Sequence, residues 1–209
     1  SLGKMECWYI LDCPEGATLV VGHNAKDKEE CAKMIHEGRW SEFIREVPIR
    51  KGDFVSIVPG TVHAIKAGVM LLETQQNSDI TYRVYDYDRL SNGRKRELHI
   101  EKSIDVINAP ASPAQDSIHN FANVRKNKPV LMEKSAYYKV WKLVVEDGSE
   151  LQLSREKDFD SSYLLASVVA GSGYINDTAI KKGDHFIVTN ECDSLSFSGD
   201  MEIILSAQI

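Results

Sequence analysis

Apolar residues along the chain fall in short runs broken by turn residues, which is the pattern of β-structure. Glu6-Cys7-Trp8-Tyr9-Ile10-Leu11 and Thr18-Leu19-Val20-Val21 predict two strands, with Cys13-Pro14-Glu15-Gly16 as the turn between them. From Lys26 to Val47 the period changes. Cys31, Met34 and Ile35 recur at helical spacing, Gly38 interrupts them, and Trp40, Phe43 and Ile44 resume, which predicts a helical insert. Strands are predicted again at Asp53–Val58, Gly68–Thr74 and Thr81–Asp86. Asn92-Gly93 marks a turn. Glu97 to Ile107 reads as a strand end running into a short helix, and Ala109-Pro110-Ala111-Ser112-Pro113-Ala114 as a linker.

The second half is all short strands: Tyr137–Glu146, Glu150–Leu153, Tyr163–Ala170, His185–Thr189, Ser194–Ser198 and Met201–Ser206. Such spacing predicts a small all-β barrel or sandwich. The halves share an echo. Lys51-Gly52-Asp53-Phe54 is matched by Lys182-Gly183-Asp184-His185, in each case a turn opening an apolar strand. At the same offset, Ser194 falls where His63 stands. The expected organisation is two related barrels: residues 1–109 with the insert at 26–47 and a site, and residues 116–209 without a metal site.

Composition narrows the function classes. A chain of 209 residues with 43% apolar content can build one large domain or two small ones. A formal net charge of −6 argues against a nucleic-acid backbone or an anionic membrane as partner. No apolar run approaches the ~18 residues of a membrane span. Cys7, Cys13, Cys31 and Cys192 form no CxxC pair, so they read as thiols in a reducing compartment, with a cytoplasmic location expected. No signal peptide is visible, and Ser1-Leu2 reads as an appended scar or as the point where a larger domain is entered.

The chemistry-bearing residues follow from strand alternation, which puts i and i+2 on one face. Lys4, Glu6, Trp8 and Ile10 share a face, as do Val69, Leu71, Glu73 and Gln75, and as do Arg83, Tyr85 and Tyr87. A charged residue in a strand usually stands on a solvated face. Glu73 and Glu6 have apolar face-mates, so each requires a partner such as a metal or an arginine. His63 follows the Pro59-Gly60 turn, where the plain reading is a satisfied core histidine and the sharper one a metal ligand. His63 and Glu6 have the ligand types of a His/Glu zinc site, which takes three protein ligands and leaves one position open.

Three stretches then carry a resemblance: Pro59-Gly60-Thr61-Val62-His63-Ala64, Leu72-Glu73-Thr74-Gln75-Gln76-Asn77-Ser78-Asp79, and Thr81-Tyr82-Arg83-Val84-Tyr85-Asp86-Tyr87-Asp88-Arg89. With Gly3-Lys4-Met5-Glu6-Cys7-Trp8-Tyr9-Ile10 and Arg96-Glu97-Leu98-His99, they resemble the short, bacterial form of the type I mannose-6-phosphate isomerases. The match is specific over the first half and looser over the second. The resemblance implies two cupin (jelly-roll) barrels and a zinc-dependent isomerase interconverting mannose 6-phosphate and fructose 6-phosphate. It implies Glu6 and His63 as zinc ligands, Arg83 as the active-site arginine, and Lys4 and Glu73 as further active-site residues. A sugar phosphate is the implied partner.

Members of that family carry an upstream His-Pro segment that supplies another zinc ligand, and no histidine here replaces it. The chain therefore reads as the family without its N-terminal third: weak or inactive as an isomerase, and prone to self-association through open barrel edges. Two alternatives stand beside it. One is a non-catalytic cupin remnant that binds a sugar or a protein partner. The other is a cupin using iron or manganese, which the ordered match from Glu73 to Arg89 disfavours.

Overall fold

The computed structural model of the chain describes residues 3–146 and 150–209; the Ser1-Leu2 start lies outside them. Two compact units are formed, one ending at Asn120 and the other running Phe121–Ile209.

The first unit begins with β1 (Glu6–Asp12) and β2 (Thr18–His23), followed by helices α1 (Lys28–His36) and α2 (Trp40–Phe43). Strands β3 (Ile44–Pro48), β4 (Asp53–Ile57), β5 (His63–Ala64) and β6 (Met70–Gln75) come next. A small hairpin of β7 (Leu90–Ser91) and β8 (Arg94–Lys95), helix α3 (Ile100–Val106), a 3-10 turn (Ala114–Asp116) and β9 (Ile118–Asn120) complete it. One sheet has the order β6-β1-β4-β9 and another β3-β2-β5. Central β1 is flanked on both sides, so Glu6 stands opposite Ile57 and Gln75, and Trp8 opposite Val55 and Glu73. Below Glu6 the same face turns apolar: Trp8 and Ile10 pack with Leu19, Val21, Val47, Val55 and Ile57.

Helix α1 is defined by its ends. Asp27 accepts a hydrogen bond from Glu30 N at 2.8 Å, and the Glu30 carboxylate accepts from Lys26 N at 2.8 Å. Reciprocal capping of this kind contributes about 1 kcal/mol. At the other end Gly38, at φ +65°, donates to Ile35 O while Arg39 N donates to Met34 O, a Schellman stop. Cys31, Met34 and Ile35 bury the predicted face against Phe43 and Ile107.

Three expectations shift. The helical insert stops at Phe43 rather than Val47, because Ile44–Pro48 pairs with β2 as a strand. Thr81–Asp86 is not a strand. Its side chains are claimed by other partners: Tyr85 stacks on Trp40 at 4.5 Å between ring centroids, and the Asp86 carboxylate is bound by two arginines. The stretch expected to link the domains belongs to the first unit, since β9 pairs with β4 and places the boundary after Asn120.

The second unit contains β10 (Val130–Lys134), β11 (Tyr138–Val145), β12 (Leu151–Ser154), helix α4 (Arg155–Phe159), β13 (Leu164–Ile175), β14 (Thr178–Lys181), β15 (His185–Val188) and β16 (Ser194–Gln208). The sheet path runs β10-β11-β16-β13-β14, with β12 on β16 and β15 on β13. Its core gathers Trp141, Leu143, Phe159, Leu164, Phe197 and Leu205. The two strands expected across 194–206 are one, because Gly199 pairs opposite Gly173 and the ladder continues through it. The fold is mostly β and of the cupin, jelly-roll class. No helix among the described residues is long and apolar enough to cross a membrane.

The Lys-Gly-Asp echo is a physical one. Asp53 accepts from Arg50 N at 2.8 Å and Asp184 accepts from Lys181 N at 2.8 Å. Gly52 and Gly183 take φ of +86° and +95°, and donate to Ile10 O and Val168 O, each at 2.9 Å. Both turns feed a strand that pairs with the strand receiving the glycine bond. His63 and Ser194 are each the first residue of the next strand.

Candidate active site

Glu6 is the centre of the site. It is 1% exposed at the start of β1. Its Oε1 lies 2.7 Å from His63 Nε2 and its Oε2 lies 2.8 Å from Lys4 Nζ. Lys4 is held in turn by Gln75 Oε1 at 2.5 Å, the residue opposite Glu6 on β6. Oε2 is sealed from solvent against the Lys4 ammonium. Burial is the strongest single influence on Glu6 and pushes its pKa up. His63 and Lys4 together outweigh it, and the pKa lies below the ordinary value. On His63, burial pushes down, but the bond and charge of Glu6 win and the imidazole pKa is raised.

The orientation of His63 is fixed from behind. Its Nδ1 lies 2.8 Å from Thr61 O and donates to it, so Nε2 is the nitrogen presented to Glu6. Thr61 sits in the Pro59-Gly60 turn, which is pinned to the end of α3: Asn108 N donates to Gly60 O at 3.0 Å and Asn108 Nδ2 to Pro59 O at 2.7 Å. Asn108 O accepts in turn from the buried His23, whose pKa burial lowers.

A pocket of about 290 Å³ opens beside this triad. Lys4 and His63 line it with Thr61, Tyr82, Tyr85 and Ser103 among others. Lys4, Glu6 and His63 are thus brought together as the sequence suggested. Glu73 is not part of that cluster. It is exposed, and its Oε1 accepts from Trp8 Nε1 at 3.1 Å. The expectation that its apolar face-mates bury the carboxylate fails because β6 is an edge strand. Trp8 links the two, since its ring also meets the His63 ring edge-on at 5.5 Å. Arg83 lies between the pocket residues Tyr82 and Val84, but its Nη1 donates to Glu97 O at 3.1 Å. The shared strand face with Tyr85 and Tyr87 does not exist, although those two rings touch at 4.5 Å. Thr61, Trp8, Gln75 and Ser103 escaped the sequence reading as site residues. Alternation signals Trp8 in β1 and Gln75 in β6; Thr61 and Ser103 carry no such signal.

The segment bearing Tyr82 and Arg83 is closed by Asp86. Arg96 binds both carboxylate oxygens and Arg89 adds a bond of 2.8 Å. Arg96 foremost, with Arg89, holds the Asp86 pKa at about 2, below the ordinary 3.8. A depressed carboxylate pKa stabilises above the unfolded value and loses that contribution as pH falls through the folded one. The urea midpoint of the wild type should therefore exceed that of Asp86→Asn by a constant margin near neutrality. Below pH 3.8 the margin should shrink, closing near pH 2. A margin independent of pH would show that the carboxylate charge is not what closes the segment.

The family described as mannose-6-phosphate isomerase, cupin domain, matches residues 131–208. Over 99% of its length the chain is 43% identical to the mannose-6-phosphate isomerase of Streptococcus mutans, and 41% identical to the mannose-6-phosphate isomerase ManA of Bacillus subtilis. The chain is thus similar along almost its whole length to mannose-6-phosphate isomerases. It spans 64% and 65% of those two relatives. The crystal structure of the mannose 6-phosphate isomerase from Bacillus subtilis superposes with a TM-score of 0.79 at 36% identity, covering 98% of this chain and 65% of that one. A putative mannosephosphate isomerase from Archaeoglobus fulgidus shares the fold at 14% identity, with a TM-score of 0.71 over 99% of this chain and 61% of that one. The similarity to those relatives reaches both units, and the matched residues 131–208 lie entirely in the second.

Proposed function

We propose that the Lys4–Glu6–His63 cluster is part of the site of a zinc-dependent isomerase that interconverts mannose 6-phosphate and fructose 6-phosphate. The observation that carries the reading is the sealed carboxylate of Glu6 facing the Nε2 of His63 beside a pocket, in a chain 41–43% identical to mannose-6-phosphate isomerases. The donor set suits zinc in kind: one buried carboxylate and one imidazole whose far nitrogen is already engaged. Among the described residues no third His, Cys, Asp or Glu joins them, so the remaining protein ligand comes from elsewhere in this reading. Bound there, zinc would polarise the carbonyl and hydroxyl oxygens of the sugar.

The residues of the chain supply the rest. Aldose–ketose exchange lifts a proton from one carbon and returns it to its neighbour, so a base and a counter-charge are needed. Lys4 places an ammonium beside Glu6, where it can offset negative charge developing on a substrate oxygen. The candidate base is Glu73, which Trp8 ties to His63, or a group beside the metal. Arg83 is the candidate holder of the sugar phosphate, and to reach it the guanidinium would exchange the Glu97 carbonyl for a phosphate oxygen.

Zinc content measured alongside mannose 6-phosphate turnover tests the reading. The expected result is zinc bound weakly by the wild type and more weakly still by His63→Ala, with any turnover following the metal. Zinc retained equally by both proteins would sink it.

A further inference from the structure

Helix α3 presents Ser103, Val106 and its following residue Ile107 to the pocket at i, i+3 and i+4, one face of the helix. Two of the three are apolar, and Ser103 is 2% exposed. Its backbone is fully used: Ser103 N donates to His99 O at 2.8 Å and Ser103 O accepts from Ile107 N at 2.9 Å. Its hydroxyl is not. Oγ is sealed from solvent and has no hydrogen-bond partner. A serine in a helix ordinarily returns its hydroxyl to the carbonyl one turn back, or turns it to water. Here neither happens, and a sealed polar group without a partner is a standing cost to the fold. An alanine would fill the same space without that cost.

The pocket gives the hydroxyl a purpose. At about 290 Å³ it is sized for one small molecule, with Lys4 and His63 at its charged side. We propose that Ser103 is a specificity-determining residue of this pocket, its hydroxyl turning about χ1 from its sealed position to hydrogen-bond an oxygen of a bound sugar phosphate. This rests on the isomerase reading above and extends it to the wall built by α3. The bonded oxygen belongs either to the sugar or to the phosphate; both accept a hydroxyl proton.

Ser103→Ala separates these possibilities. In the free chain the variant should melt at or above the wild-type temperature, since no bond is lost. Titrated with mannose 6-phosphate, it should bind roughly 5- to 10-fold more weakly, the loss of one neutral hydrogen bond. Mannose and inorganic phosphate, titrated separately, identify the oxygen, because only the ligand carrying it should lose affinity on substitution. A variant that melts clearly below the wild type would show that the hydroxyl already serves the fold and would overturn the proposal. Equal affinity of the two proteins for mannose 6-phosphate would overturn the role of Ser103 while leaving the isomerase reading in place. Absence of any binding by the wild type would overturn the isomerase reading and the proposal with it.

Discussion

Glu6→Ala is expected to destabilise the metal-free chain by about 2–3 kcal/mol and to lower any turnover at the site by at least roughly 10²-fold. The stability figure follows from what is left behind. Removing one partner of a buried ion pair typically costs 3–5 kcal/mol because the other charge is stranded. Here the stranded groups have exits. Lys4 keeps Gln75, and His63, whose side chain is 35% exposed, can give up its proton while keeping Thr61. The cost is therefore set below that range. The turnover figure is a lower bound, since even groups that only orient a metal ligand are worth 10- to 100-fold. Urea unfolding with and without a chelator, together with kcat/KM, checks both. A loss below about 1 kcal/mol would mean that water already reaches the carboxylate.

Gly60→Ala is expected to cost about 2–4 kcal/mol and to disturb the site as well. Gly60 sits at φ +83°, where a side chain is strained, and an added Cβ would lie 2.5 Å from the carbonyl oxygen of Val106. That oxygen is backbone at the end of α3 and cannot swing aside. The turn would have to lift, taking Thr61 O away from His63 Nδ1. Gly93 is the internal control: at φ +76°, with nothing within 4 Å of where a Cβ would stand, Gly93→Ala should cost only the conformational term, about 1 kcal/mol. Comparable losses at both positions would remove the steric part of the argument.

Much of the first unit was legible from alternation alone. The strand containing Glu6, Trp8 and Ile10 is predicted with the correct face, and Glu6 and His63, whose types suit one metal, lie 2.7 Å apart. The helical insert was legible at α1 because Asp27 and Gly38 mark its ends, and illegible at Ile44–Pro48, where pairing with β2 overrides the helical period. Thr81–Asp86 misleads because a run of β-formers does not record its partners. Trp40 and Arg96 lie 45 and 10 residues away from Tyr85 and Asp86 and decide its course. Glu73 misled for a related reason: a face predicts direction, while exposure depends on whether another strand lies alongside, which periodicity does not record. The Ser103 hydroxyl was invisible in the sequence, since an unmet hydrogen bond has no spelling.

The twin Lys-Gly-Asp turns carry one more consequence. Each corner is made from a glycine, an aspartate and the strand it leans on, and in the first Asn120 of β9 also donates to Asp53 at 2.7 Å. His63 is carried by a different corner, since Thr61 in the Pro59-Gly60 turn aims its ring and Asn108 pins that turn to the end of α3. The joint that shapes the sheet and the joint that aims the imidazole are separate parts, so architecture and reactivity can change independently at this point of the molecule.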